Sequence, residues 1–220
     1  MGAAQSKSKQ QQDLQSRTDF SWDEIKHLHQ RFRQLSGGRP TLRQDDFLHI
    51  ANLQLNPIGS EITRAFFDKR NLRKGTGGLA DEINFDDFLT IIGYFRPVDW
   101  AVGSGSEEVE RLRKEKMKFL FHMFDGDFDG LITLDEYSNV VEELLYGGRR
   151  AQKEKDSVRL IARSIAQGAM READAVSSRP KDASKEYPGI SFEDFLKTWQ
   201  GFDIAANMQV SFLNLETINH

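Results

Sequence analysis

An acidic stretch at positions 125–136 constrains the fold of this 220-residue chain more than any other feature. Three aspartates alternate with other residues in its first half, a glycine follows them, and a glutamate ends the stretch. This spacing matches the calcium-loop pattern D-x-[DN]-x-[DN]-G-x5-E at every position. Carboxylate and carbonyl oxygens are hard ligands that suit calcium, and the glycine permits the sharp turn. The predicted ligands are Asp125, Asp127, Asp129, the backbone carbonyl of Leu131, and Glu136, with Thr133 placed to hold a water.

Apolar residues at helical spacing flank this stretch on both sides. Before it they occupy positions 117, 120, 121 and 124, and after it positions 137, 140, 141, 144 and 145. Each set forms one apolar stripe along a helix. The sequence therefore predicts a helix–loop–helix unit, the EF-hand, with a metal-competent loop. The alternative is an acidic surface turn that binds nothing, but that alternative explains neither the full match nor the two stripes.

A shorter pattern at the end of this loop occurs four times in the chain. In each copy an aliphatic residue is followed four positions later by an acid and then by an aromatic residue; the copies begin at Leu42, Ile83, Ile132 and Ile190. Four copies of one supersecondary unit predict an all-α fold with two EF-hand pairs in two lobes. The aliphatic residues are predicted to join neighbouring loops as short two-stranded β ribbons, Leu42 with Ile83 and Ile132 with Ile190.

The other three loops depart from the calcium pattern. The first, at 36–41, is short and carries Arg39 and Pro40 where a ligand and a glycine belong. The second runs from Asp68 and contains a basic, glycine-rich insertion, whose cations oppose a divalent ion. The fourth is expanded between positions 174 and 190, and all three end in aspartate, which reaches an ion less well than glutamate. They are predicted to serve as scaffold, with a weak magnesium site in one of them as the alternative.

The domain organisation is predicted from the repeat and from composition. A glycine- and serine-rich segment between the two pairs is typical of a flexible linker. The predicted divisions are a flexible acylated N-terminus at 1–19, an N-lobe with two degenerate EF-hands at 20–97, a linker at 98–110, a C-lobe with one metal-competent and one degenerate EF-hand at 111–203, and an apolar C-terminal segment at 204–220. That last segment either packs on the C-lobe or plugs its groove, and the sequence leaves both possibilities open.

Composition argues against several classes of protein. The chain has no cysteine, which excludes disulfides and thiol catalysis and favours a cytosolic address. A net charge of −4 argues against a nucleic-acid partner, and no apolar run is long enough to span a bilayer. Positions 1–20 lack the apolar stretch of a signal peptide. Because the 5 histidines are scattered and no nucleophile motif is present, we do not expect an enzyme.

The N-terminus predicts a lipid anchor. Gly2 and Ser6 match the N-myristoylation signal M-G-x-x-x-[ST], and Lys7 and Lys9 suit an anionic membrane surface. One myristoyl chain binds membranes weakly and reversibly, so stable anchoring needs a second contact. A free tail is the alternative. The expected location is the cytoplasm and, peripherally, the plasma membrane, with the nucleus left open as a further compartment.

The chain also resembles the calcineurin B homologous proteins over nearly its whole length. Beside the four repeats, the degenerate loops and Gly2, the resemblance rests on RFRQLSG at 31–37, RAFFD at 64–68, NLRKG at 71–75, GLADEINF at 78–85, YFRP at 94–97 and FLKTWQG at 195–201. It implies a regulatory subunit of plasma-membrane sodium/proton exchangers, in which the exchanger's juxtamembrane helix docks in a hydrophobic groove. It further implies support of exchanger maturation, surface stability and activity, and so of cell pH regulation. Inhibition of the phosphatase calcineurin is a second role that the resemblance leaves open.

A general calcium sensor or buffer with other helical targets is the alternative function. One competent loop among four makes a poor buffer, whereas three scaffold loops suit a protein that holds an amphipathic helix. The 16 phenylalanines supply aromatic surface for either a core or such a groove.

Overall fold

The computed structural model describes residues 20–95, 107–146, 152–179 and 187–200. Within these ranges the chain is mostly helical and contains one small antiparallel sheet, in agreement with an all-α EF-hand protein. The helices are α1 (Trp22–Leu35), a 3-10 helix (Gln44–His49), α2 (Ala51–Gln54), α3 (Gly59–Phe67), α4 (Phe85–Gly93), α5 (Glu107–Phe124), α6 (Leu134–Tyr146), α7 (Gln152–Val176) and α8 (Phe192–Thr198). The strands are β1 (Leu131–Ile132) and β2 (Ile190–Ser191). None of these helices is both long enough and apolar enough to cross a bilayer.

The first helix begins where the sequence places a cap. The Ser21 hydroxyl accepts the backbone N–H of Glu24 at 3.3 Å, and the Glu24 carboxylate accepts the backbone N–H of Ser21 at 2.7 Å. This reciprocal pair satisfies two backbone donors that the helix itself leaves unpaired. Ile25, Leu28 and Phe32 then lie buried along one face of α1.

Both predicted loop pairings are confirmed. Leu42 and Ile83 form an antiparallel bridge, with N–H to carbonyl distances of 2.8 and 3.0 Å in the two directions. In the sheet, Ile132 of β1 lies opposite Ile190 of β2. These four side chains are at most 2% exposed, so each ribbon also places two aliphatic groups in the core.

The buried apolar residues fall into two clusters. The first, which we call the N-terminal core, takes its residues mainly from α1 to α4 and is dominated by phenylalanine. Its rings meet edge to face or tilted, for example Phe47 with Phe66 at 5.0 Å between centroids, the geometry that aromatic quadrupoles favour. The second, the C-terminal core, takes its residues from α5 to α8 and from both strands.

Helix α5 contributes to both cores. Met117 and Phe121 lie in the C-terminal core, as the predicted apolar stripe requires, whereas Phe119 and Met123 lie in the N-terminal core. The helix begins at Glu107, inside the range 98–110 that the sequence predicts to be a linker. Val109, in its first turn, is buried at 9% exposure, which gives this part of the segment an apolar contact to hold it. The N-terminus with Gly2 and the segment 204–220 lie outside the described residues.

Candidate metal centre

The loop at 125–136 connects α5 to α6 and contains β1. Asp125 directly follows the last residue of α5 and is fully buried. Gly130 has φ +88°, a conformation open to glycine at little cost, and it turns the chain into β1. Phe128 has φ +69°, which is unusual for a residue with a side chain and costs about 1–2 kcal/mol. The loop therefore keeps a tight, partly strained conformation.

Three of the predicted ligands come together in this loop. Oxygens of Asp125, Asp127 and Glu136 lie within 4.8 Å of one another. In the described part of the chain, this is the one group of at least three acidic or histidine side chains that close together. The Oδ1 atom of Asp125 is buried and has no hydrogen-bond partner. A buried carboxylate oxygen without a partner is costly, and a cation in the cluster would satisfy it, so these residues fit a hard divalent ion.

Backbone and side-chain hydrogen bonds hold the carboxylates in place. Glu136 Oε1 accepts the N–H groups of Gly126 and Asp127 at 2.7 and 3.2 Å. Asp125 Oδ2 accepts the N–H of Gly130 at 3.1 Å. The glycine at position 130 thus has two functions, since it makes the turn and also orients the first carboxylate.

The remaining predicted positions do not join the cluster. The Asp129 carboxylate accepts the backbone N–H of Leu131 at 2.7 Å, and Asp129 itself is exposed. Thr133 caps α6, because its hydroxyl accepts the N–H of Glu136 at 3.3 Å and donates to Glu136 Oε2 at 2.8 Å. The predicted water-holding role of Thr133 leaves out this capping function.

The sequence pattern does not identify one residue of the site. Arg70, in the loop after α3, donates through Nη1 to Asp125 Oδ2 at 2.5 Å. The same guanidinium binds Asp68 of its own loop, with Nη2 to Oδ2 at 2.7 Å. Burial raises the pKa of Asp125, while the hydrogen bond and charge of Arg70 lower it. The basic insertion in the second loop is the sequence signal for Arg70, but it indicates an effect on that loop alone.

The acids that end the first two loops are paired with cations. Asp46 of the first loop forms an ion pair with Arg39. Asp87 of the second loop accepts from Lys74 Nζ at 2.5 Å. Basic side chains of the same loops therefore hold the carboxylates that a metal would otherwise bind.

The acid that ends the fourth loop is bonded to hydroxyl groups instead. Asp194 accepts from the hydroxyls of Tyr187 and Ser191 at 2.9 and 2.8 Å. Asp194 is buried, and burial alone would raise its pKa, but these hydrogen bonds outweigh that effect and the pKa is lowered. In this loop, too, protein donors occupy the carboxylate.

Comparison with known proteins gives the relatives of this chain. No protein-family model matches it. Calcineurin B homologous protein 3 of Homo sapiens is 56% identical over 218 residues, which cover 99% of this chain and 98% of the relative. The protein of the same name from Gallus gallus is 50% identical over 220 residues, covering 100% of this chain and 99% of the relative.

A more distant relative has a similar extent. The B-type subunit of calcineurin from Naegleria gruberi is 26% identical over 201 residues, covering 90% of this chain and 92% of the relative. These names denote a regulatory type of protein and its homologues, which fits the prediction that the chain is not an enzyme. With identities of 50% and more along nearly the full length of both proteins, the chain belongs to the calcineurin B homologous protein family.

Proposed function

We propose that this chain is a calcium-binding regulatory protein whose loop at 125–136 holds one calcium ion. The observation that carries the proposal is the buried, unpartnered Oδ1 of Asp125 beside the carboxylates of Asp127 and Glu136. The bound ion supplies the positive charge that offsets this cluster of carboxylates. The N–H groups of the loop hold the ligands in position before the ion arrives. The full proposed ligand set is Asp125, Asp127, Asp129, the backbone carbonyl of Leu131, and Glu136.

Calorimetric titration with calcium tests this proposal. We expect one site with a dissociation constant on the order of 10⁻⁷ to 10⁻⁵ M, and we expect Asp125→Ala or Glu136→Gln to remove it. Asp135→Asn is the matched control, because Asp135 is 78% exposed at its side chain and pairs with Arg163 outside the cluster. Two or more comparable sites, or binding that survives Asp125→Ala, contradict the proposal.

The proposed partner is the juxtamembrane helix in the cytoplasmic tail of a plasma-membrane sodium/proton exchanger, held by both lobes. Exposed apolar side chains on both halves support a helical partner: Leu55 lies after α2 at 72% exposure, and Leu160 and Ile161 lie on α7 at 72% and 52%. A pocket of about 260 Å³ between α6, α7 and α8 is lined by apolar groups that include Phe195 and Trp199. Groove binding of this kind is driven mainly by apolar burial. Through this contact the chain supports maturation, surface stability and activity of the exchanger.

The proposed architecture is two EF-hand pairs, of which only the third unit binds calcium. The cation or hydroxyl partners of Asp46, Asp87 and Asp194 support a scaffold role for the other three loops. The lobes are proposed at 20–97 and 111–203, joined by the linker at 98–110. Magnesium competes for the third loop and for no other site. A magnesium titration that retains binding after Asp125→Ala would contradict this assignment.

Myristoylation at Gly2 is proposed to hold the protein at the plasma membrane, with a cytoplasmic pool and the nucleus as a further compartment. The N-terminal sequence pattern and the neighbouring Lys7 and Lys9 support it. Fractionation of cells that express the full chain tests the location. Absence from the membrane fraction would contradict it.

A second proposed role is inhibition of calcineurin, supported by the similarity to a calcineurin component. A phosphatase assay with purified calcineurin tests this role, and unchanged activity at saturating protein contradicts it.

Within the family, we propose a position near tescalcin, supported by the six segments between positions 31 and 201 that carry the resemblance. A tree that groups the chain elsewhere would contradict that position. The alternative function, a general sensor or buffer, predicts binding of unrelated amphipathic helices with the same affinity as the exchanger helix.

A further inference from the structure

A buried arginine connects the second loop to the calcium loop. Arg70 lies between Asp68 and Asp125, and the exposed fractions of the three side chains are 10%, 2% and 0%. Its Nε and Nη2 bind Asp68, its Nη1 binds Asp125 Oδ2, and Nη2 also lies 3.2 Å from the backbone carbonyl of Asp125. One guanidinium thus pairs with the first acid of the degenerate loop and with the first ligand of the calcium loop.

The surroundings keep this arginine in place. The ring of Phe128 lies with its centroid 4.9 Å from the guanidinium carbon, within the range of a cation–π contact. Phe128 is the loop residue with φ +69°. A Cβ added at Gly77 would lie 2.9 Å from the Phe128 Cβ, so the glycine leaves the space that Phe128 occupies. A strained residue, a required glycine and a buried ion triad therefore meet at one point.

The two oxygens of Asp125 have different surroundings. Oδ2 is held by Arg70 and by the N–H of Gly130, while Oδ1 faces no donor. A calcium ion bound through Oδ1 would share this carboxylate with a guanidinium. Two cations on one carboxylate repel each other, and the repulsion is strong where water is excluded. Arg70 therefore reduces the negative charge that the loop offers to calcium.

We propose that Arg70 is an internal competitor of calcium, which stabilises the calcium-free loop and weakens its contact with Asp125 when calcium binds. This rests on the proposed calcium site at 125–136. Coupling between two binding events is reciprocal. If Arg70 lowers calcium affinity, calcium loosens the Arg70 contact by the same factor, and the state of the calcium loop is transmitted to the loop at 68–78.

Substitution of Arg70 tests the competition. Calorimetry of the full-length protein is expected to show about tenfold tighter calcium binding for Arg70→Gln than for the unmodified chain. Arg73→Gln is the matched control, because Arg73 lies in the same loop and also pairs with an acid of α5, Glu115 at 3.5 Å, but is 67% exposed. It removes the same charge and is expected to change the affinity less than twofold.

A double variant separates competition from misfolding. Arg70→Gln alone leaves Asp68 buried without its cation, so Asp68→Asn/Arg70→Gln removes the pair together. Other links between the two regions remain, including the bond from Arg64 Nη2 to the carbonyl of Met123 at 2.6 Å. Both variants are expected to keep the circular dichroism of the native fold and to bind calcium more tightly. Unchanged or weaker affinity in the folded double variant overturns the proposal and would make Arg70 a support of the ligand.

A second measurement follows Arg70 itself. Solvent exchange of its Nε proton, measured by NMR, is expected to be slow in chelator and at least several-fold faster with calcium. Equal protection in both states overturns the coupling. If neither the unmodified chain nor Arg70→Gln binds calcium, the proposed function fails together with this inference. If both bind with equal affinity, only the inference fails.

Discussion

At the scale of single residues, His122 shows how tightly the two cores are joined. Its Nδ1 lies 2.6 Å from Asn71 Oδ1, and both side chains are buried. Because Asn71 Nδ2 donates to the carbonyl of Ala65 at 2.9 Å, the amide oxygen faces His122, and Nδ1 carries the proton. Burial, and then the charge of Arg70, lower the pKa of His122 to about 4.

This lowered pKa predicts an acid-sensitive fold. The unfolded chain takes up a proton at His122 near pH 6.5, whereas the folded chain takes it up only near pH 4. Stability is therefore unaffected above pH 6.5 and falls as the pH drops from 6.5 to 4, by about 2 kcal/mol at pH 5. His122→Gln is expected to lose less stability between pH 7 and pH 5 in urea unfolding.

His29→Gln is the control for this experiment, since His29 is exposed on α1. It is expected to lose as much stability between pH 7 and pH 5 as the unmodified chain. An identical loss in all three proteins would show that carboxylates alone account for the acid sensitivity.

The sequence predicts some residues of the metal centre better than others. A fixed spacing within 12 positions is enough to propose Asp125, Asp127 and Glu136 as neighbours, since the loop itself brings them together. Arg70 is 55 positions from Asp125, and no local pattern reports that distance. A basic residue in a calcium-like loop shows that the loop has lost metal, but not which other carboxylate the cation reaches.

At the scale of elements, α5 shows the same limit. The stripe through Met117 and Phe121 is predicted by its period, and the structure places it in the C-terminal core. The second stripe, Phe119 and Met123, lies on another face of the helix and packs on the N-terminal core. A helix with apolar groups on two faces is buried on both, but periodicity alone does not show which neighbours cover them. The ribbon pairings are easier to predict because equivalent loop positions fix the register.

The position of Phe119 predicts a large effect on stability. It is 1% exposed, and its ring lies 5.2 Å from those of both Tyr94 and Phe95. Phe119→Ala is expected to lower the free energy of unfolding by about 3–5 kcal/mol in urea titration. Leu55→Ala, at a side chain that is 72% exposed, is the control and is expected to cost about 0.5 kcal/mol or less. Equal effects would mean that α5 does not stabilise the N-terminal core.

At the scale of the whole molecule, the proposed partner predicts where binding is lost. Leu55→Glu and Leu160→Glu each place a charge at an exposed leucine on a different half of the protein. If one helix lies against both halves, each change is expected to weaken binding of the exchanger peptide about tenfold, measured by fluorescence anisotropy. Gln30→Glu, on the exposed side of α1, adds the same charge and is expected to have little effect.

Calcium is expected to tune this binding without being required for it, because only one of the four loops is proposed to respond. The titration is therefore repeated with calcium and with chelator. Absence of binding in both conditions contradicts the partner assignment. Loss of binding in chelator alone contradicts only the tuning and makes the third loop an on/off switch.

Lipidation is a property of the complete chain and is tested on it. Protein produced in eukaryotic cells is expected to carry the added mass of one myristoyl group, and Gly2→Ala is expected to lack it and to move to the soluble fraction. Calcium affinity is expected to stay the same in both. An intact mass without the added group contradicts this prediction.

The shared helix α5 also has a consequence for synthesis of the chain. When a ribosome has released residues 20–95, the N-terminal core still lacks Phe119 and Met123, which α5 supplies. At 5–20 residues per second, the stretch up to position 124 takes roughly one and a half to six seconds more to emerge. During that interval a phenylalanine-rich surface is open to chaperones and to other nascent chains. A message that ends before α5 would therefore yield a sticky fragment rather than a small independent domain.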